Sequence, residues 1–370
     1  MIDFVPERVK SQKDQDKEFE LEKRQDEIYL ILCYRTVLHN HTGAVGFKYY
    51  NLIIPKTVTR NPFTFEVLGL LQAEMGKQQD GKVVFCNHEY KLVNKVLLWF
   101  ESELALPKDK WKWYIKVNIN EPSNNCYKEI IEKKTIDHWT HRTGLSLQNA
   151  YPKTVSYIKN TKNQTLRNSD YGTLIIENAN NLFSQIVKNF VNKMSRSMLS
   201  YHTDELRHYM RGIIAGESNV ECNKNEGHFR VMICAKDLGE RLLYKEYLNR
   251  LGIDSTVYNK FLSLVISKKD NILELLKQKM MTLSPEKYSK FLNMAKLYKN
   301  FDELKLWEEK LQKPHNKKPD WLINEVIELH FSEPNAPAWK LAEQLQGLVS
   351  DIFVQRTRKQ LNLSKSKAST

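Results

Sequence analysis

Two glutamates, Glu74 and Glu217, each close a six-residue run of the same kind. Gly69-Leu70-Leu71-Gln72-Ala73-Glu74 and Gly212-Ile213-Ile214-Ala215-Gly216-Glu217 share a glycine, two aliphatics, a variable residue, a small residue and the acid. The acids lie 143 residues apart, about the length of one domain. In each run an apolar, helix-like segment delivers one carboxylate at its C-terminal end. Two such helices packed together would bring the carboxylates together, which is the geometry a divalent cation such as Mg2+ needs.

The elements around each run follow a similar order. Phe63–Ala73 reads as a helix, Val83–Cys86 as a strand and Tyr90–Leu104 as an amphipathic helix. From Trp111 to Ile119 the chain alternates, with Trp111, Trp113, Ile115, Val117 and Ile119 on one face and Lys112, Lys116 and Asn118 on the other. Glu129–Thr143 (a helix), two strands and the helix Asn181–Met194 complete the unit. The second run starts with the helix Glu205–Gly216. Strands at Val220–Cys222 and Phe229–Cys234, the helix Leu238–Leu251, a strand at Phe261–Ile266 and the helix Ile272–Met281 follow. Ser284-Pro285-Glu286 opens a further helix, with a serine cap and proline at its first position. The pattern is α+β with antiparallel sheets.

Composition supplies the partner class. The 370 residues carry 57 Lys and Arg against 44 Asp and Glu, a net charge of +13. Cationic side chains displace condensed counterions from nucleic acid, so the excess points to a polyanion. No apolar run is long enough to span a membrane, and the N-terminus lacks the layout of a signal peptide. Five dispersed cysteines without a CxxC pair point to reduced thiols in a cytosol-like compartment, intracellular, nucleoid-associated or organellar. The His138/His141 and His39/His41 pairs lack the further ligands of a metal site.

The duplicated runs, and the order of elements around them, resemble the paired motifs of the LAGLIDADG homing endonucleases of the two-repeat, single-chain type. The resemblance covers roughly residues 60–300. It implies an α+β fold in which the motif helices cross closely at Gly69, Gly212, Ala73 and Gly216, and saddle-like sheets straddle double-stranded DNA. It also implies that Glu74 and Glu217 hold Mg2+ or another divalent cation for phosphodiester hydrolysis. Glycine usually follows each acid in that family; here Met75 and Ser218 stand there. The expected division is an extension over 1–60, repeats over 61–200 and 201–300, and a linker with a helix-turn-helix-like module over 301–370.

Further candidates are basic or polar. Lys77, Lys268 and Lys269 are placed to support charge at a scissile phosphate. Lys112, Lys116, Asn118, Lys153, Lys159, His228 and Arg230 lie on or beside strands that would face DNA. In the C-terminal module Gln355, Arg356, Arg358 and Lys359 occupy the second helix, as base and phosphate contacts would. The expected activity is site-specific cleavage of duplex DNA by a monomer. The alternatives are a non-cleaving DNA-binding regulator on the same scaffold and an RNA-binding splicing helper acting on intron RNA.

Overall fold

Charge does not keep the N-terminal stretch out of a sheet. In a computed structural model, which describes residues 1–5, 9–10, 18–23, 30–37, 45–50, 54–75, 81–159, 171–223, 228–296, 320–345, 349 and 351–360, much of this stretch is strand. The strands are β1 (Ile2–Asp3), β2 (Val9–Lys10), β3 (Glu18–Lys23), β4 (Leu30–Val37), β5 (Val45–Tyr50) and β6 (Thr57–Val58). β2–β5 form an antiparallel sheet in that order, and β1 pairs with β6. Read from its mixed charge alone, the stretch 1–27 suits an exposed helix or loose arm. Glu18-Phe19-Glu20-Leu21-Glu22 instead has the two-residue alternation of a strand, which its charge conceals. Phe4 is buried against Phe190 and Trp99, with ring centroids 4.8 and 6.4 Å away, so the N-terminus contributes to the core of the following unit.

α1 (Pro62–Glu74) begins where Asn61 accepts a hydrogen bond from the Thr64 backbone N–H and Pro62 pre-sets the first turn. After it come β7 (Val83–Asn87), α2 (Tyr90–Leu104), β8 (Lys112–Val117), α3 (Asn125–Thr143), β9 (Ala150–Tyr157), β10 (Thr173–Asn178) and α4 (Asn181–Ser197). The sheet order is β7-β10-β8-β9. β8 and β9 run parallel, a departure from the all-antiparallel expectation that follows from α3 acting as the crossover between them. Trp111, Trp113, Ile115 and Val117 are wholly buried, whereas Lys112, Lys116 and Asn118 are exposed. The sheet therefore has one face in the core and one outside.

A second set of elements follows, in a different order. It comprises α5 (Thr203–Glu217), β11 (Ser218–Asn223), β12 (His228–Cys234), α6 (Leu238–Arg250), β13 (Thr256–Tyr258), β14 (Ser263–Ile266), α7 (Lys269–Lys277) and α8 (Pro285–Lys296). Its antiparallel sheet runs β11-β12-β14-β13. β13 is too short and too polar to be read from its sequence. α7 stops at Lys277, short of the expected Met281, because the chain turns through Lys279 in the left-handed region.

Residues Met1–Phe301 form one compact unit and Asp302–Thr370 another. The second unit holds the helices Asp320–Ser332, Ala338–Gln344 and Asp351–Gln360 around Val326, Leu341, Leu345 and Val354. Among the described residues no helix is long and apolar enough to cross a membrane.

At the centre of the first unit α1 and α5 cross backbone to backbone. A β-carbon on Gly69 would collide with the Tyr209 carbonyl oxygen, and one on Gly212 with the Glu66 carbonyl oxygen. The Gly212 β-carbon would also stand 2.8 Å from the Gly69 α-carbon. Neither obstacle is a movable side chain, so the helices must separate to admit a methyl. Gly212→Ala is expected to cost about 2–3 kcal/mol, as overpacked cores do. Gly252→Ala, at φ +76 with open space around it, should cost only about 1 kcal/mol from backbone strain. Urea unfolding of the two variants checks the ranking.

Candidate nucleic-acid interface

The two helices end alike. Met75 after α1 has φ −72 and ψ 128, and Ser218 after α5 has φ −83 and ψ 150. Both are ordinary extended conformations, so neither exit calls for glycine and the two substitutions are free of backbone strain. A β-carbon on Gly216 would lie 2.5 Å from the Ala73 β-carbon and 3.0 Å from Glu74 Cγ, so the close approach extends to the helix ends. Glu74 Oε1 accepts a hydrogen bond from Asn87 Nδ2 at 3.1 Å. Burial pushes the Glu74 carboxyl above the usual range, and Lys287, His88 and the Asn87 hydrogen bond oppose this.

Lys287, in the first turn of α8, is a cation at this place. Its Nζ donates to the carbonyl oxygens of Ala215 and Gly216, both at 2.6 Å. Burial lowers its pKa, while Glu74, Glu89, Glu217 and Glu286 hold the charged form. Its position is set by a small network. Ser284 Oγ accepts from the Lys287 backbone N–H at 3.2 Å and donates to the Glu89 carboxylate, which also receives the Glu286 N–H at 3.4 Å. His88 Nε2 lies 3.1 Å from Glu286 Oε2.

A divalent cation shared by Glu74 and Glu217 would draw on these carboxylates and on the carbonyls at the end of α5, all hard oxygen donors. The ammonium of Lys287 already engages the two carbonyls and interacts electrostatically with both acids. With Lys287 in place, the donor set does not fit a divalent ion. Among the described residues His88, Glu89 and Glu286 also gather potential ligand atoms, within 4.8 Å of one another. Those atoms serve the Ser284 and His88–Glu286 hydrogen bonds.

The exposed sheet face borders the helix ends. Cys86 of β7 has its thiol pushed up to about 11, by burial first and then by Glu74 and Glu217, with Lys116 acting the other way. One thiol therefore senses both the carboxylates and a lysine of the exposed face. Lys112 stands opposite Glu177, which Lys82 engages at 2.8 Å, and Lys116 stands opposite Thr173. Tyr114 lies between them, edge-on to Tyr151 at 5.7 Å. Lys153 and Lys159 are exposed and, with Lys128, draw the Glu121 carboxyl below its usual range, Lys128 by the larger effect.

Other expected residues are placed differently. Lys77 lies outside the described residues. His228 opens β12 opposite Asn223, and Arg230 is engaged by Glu221 at 2.7 Å across the strands. Lys268 pairs with Asp254 at 2.7 Å on the surface, and Lys269 begins α7. Arg358 corrects the expectation for the C-terminal helix: it is 9% exposed and donates to the Ala336 carbonyl at 2.9 Å, so it packs inward rather than toward a nucleic acid. Its neighbours Gln355, Arg356 and Lys359 are exposed. Sequence reading missed Lys287, although a basic residue in a first helical turn opposes the helix dipole and so signals a specific partner.

No family model and no curated protein matches the chain. Among solved structures, the N-terminal LAGLIDADG domain of DUF199/WhiA aligns at 12% identity over 60% of this chain and 81% of its own, with a TM-score of 0.33. Full-length DUF199/WhiA from Thermatoga maritima aligns at 10% identity over 82% and 90%, with a TM-score of 0.33. I-DmoI in complex with DNA and Mn aligns at 10% identity over 60% and 97%, with a TM-score of 0.27. The present fold is α+β, with two close-crossing helices, each leading into a mainly antiparallel sheet.

Glu66 ties that helix pair together. Its carboxylate meets Lys95 at 2.7 Å, His208 at 3.0 Å and Arg211 at 3.5 Å, joining α1 to α2 and α5. Burial alone would raise its pKa, but Lys95 and His208 bring it below the usual range. A depressed carboxylate stabilises the fold above its unfolded pKa, and this contribution fades as pH falls through the folded value. Glu66→Gln should therefore cost about 1–3 kcal/mol at neutral pH, with the difference narrowing below about pH 4. Urea midpoints for both proteins across that range provide the measurement. A cost independent of pH would remove the electrostatic role.

Proposed function

We propose that this chain binds double-stranded DNA across the exposed strand faces of its two repeats, without metal-dependent cleavage at Glu74 and Glu217. The observation that carries the binding reading is β8. One face is wholly buried, and the other presents Lys112 and Lys116 to solvent beside the helix ends. Such lysines suit phosphates, while Asn118 and Arg230 have the donors to reach base edges. The net charge of +13 favours the encounter. The two repeats offer different side chains, so the site recognised would be asymmetric and bound by a single copy of the chain.

The cleaving alternative requires Mg2+ at the paired acids. The Lys287 ammonium on the Ala215 and Gly216 carbonyls favours binding alone. In this reading Glu74 and Glu217 orient Lys287 and set the charge between the repeats, and Lys153, Lys159, Gln355, Arg356 and Lys359 are secondary phosphate contacts.

Selection from a randomised duplex library should yield a preferred asymmetric site. On that site Lys112→Ala with Lys116→Ala should lower the slope of log affinity against log salt by about one per lysine. An unchanged slope, or stronger binding to structured RNA than to duplex, would reject the assignment. Wild-type protein should leave the selected plasmid intact in Mg2+. Cleavage that disappears in Glu74→Gln and Glu217→Gln would restore the nuclease reading.

A further inference from the structure

The C-terminal end of α5 is a place where negative charge accumulates. The last carbonyls of a helix lack intrahelical partners and carry the negative end of its dipole. Here the same end also bears Glu217 and faces Glu74, whose side chain packs within 3.0 Å of where a Gly216 β-carbon would be. The two end carbonyls, the Glu74 side chain packed beside Gly216 and Glu217 at the last position of α5 are oxygen donors of the kind a hard cation takes. Lys287 supplies one from within the chain, and its ammonium meets the carbonyls of Ala215 and Gly216 at 2.6 Å each.

The lysine is placed there at the expense of its own helix. As the third residue of α8, it puts positive charge at the positive end of that dipole. The Ser284 cap and the buried Glu89 carboxylate hold its backbone in this position. A surface lysine chosen for solubility would require none of these contacts.

We propose that Lys287 is a built-in counter-ion occupying a latent divalent-cation site formed by Glu74, Glu217 and the Ala215 and Gly216 carbonyl oxygens. Removing the lysine's charge opens the site to Mg2+ or Mn2+. The proposal rests on the non-cleaving half of the function proposed above and is independent of whether the strands bind DNA.

The test is a Mn2+ titration of the full chain without DNA, read by electron paramagnetic resonance of the free ion. Lys287→Met should bind one Mn2+ at least tenfold more tightly than wild type, and adding Glu74→Gln should abolish the gain. Lys287→Gln, which keeps a hydrogen-bond donor for the carbonyls, provides a second variant should the methionine fail to fold, and the same gain is expected. Lys287→Arg, which keeps the charge, should bind no better than wild type. Wild-type binding that is lost in Glu74→Gln would overturn the proposal, as would the absence of any gain in both neutral variants. Because the titration contains no DNA, a failure of DNA binding leaves its outcome unaffected.

Discussion

The fold hangs on a contact in which two helices touch through their main chains. At Gly69 and Gly212 no side chain separates α1 from α5, and each glycine faces a carbonyl oxygen of the other helix. Contact this close fixes the depth and the register of the crossing together. The register decides what happens one turn later, where Ala73, Glu74 and Gly216 pack together. It also decides where the sheets begin, since both chains leave the helices in the same extended conformation. Around the crossing, α1 buries Phe65, Val67, Leu68, Leu70 and Leu71, so it has hardly any solvent face. The one carboxylate near its middle, Glu66, is surrounded by Lys95, His208 and Arg211.

Bringing two helix C-termini together creates an electrostatic problem. Each end carries partial negative charge from its carbonyls, and each here adds a glutamate. Glu74 responds in part by holding its proton more tightly, as burial dictates. The remainder falls to a cation, and the chain places one of its own there. A lysine brings one charge on a tethered stem, with no loss of a hydration shell from a divalent ion and no dependence on ion concentration. On the proposed reading it also excludes such an ion from the same oxygens. The physical demand for a cation is therefore shared with a metal-binding helix pair, while the chemical capacity differs.

How much of this is legible in the sequence follows from locality. The helix pair is readable because the constraint falls on consecutive residues and occurs twice. The buried face of β8 is readable because Trp111, Trp113, Ile115 and Val117 obey the strand period without interruption. Charge hid β3, since glutamates at every second position resemble a solvated helix until the phase is counted. Arg358 misleads for a related reason, because its type suits phosphate while its position on the helix faces the core. Lys287 could not be placed at all by spacing. It is 72 residues from Ala215 in sequence, and only the path of α7 and the turn before α8 brings it back.

On the proposed reading, the sheets that follow α1 and α5 differ where a polyanion would be read. After α5, β11 and β12 pair antiparallel over six residue pairs, and Arg230 is held against Glu221. After α1, the described residues hold a single antiparallel bridge between Met75 and Phe85. α3 and β9 then add a parallel strand at the edge and the exposed Lys153. One half thus offers an arginine held by Glu221 on an antiparallel ribbon, and the other offers flexible lysines on a four-stranded sheet that includes a parallel pair. Arginine held in a fork reads geometry, whereas lysine acts as a point charge on phosphate. On the proposed reading the second repeat would contribute more to discrimination among sequences and the first more to affinity, a division that identical repeats could not make.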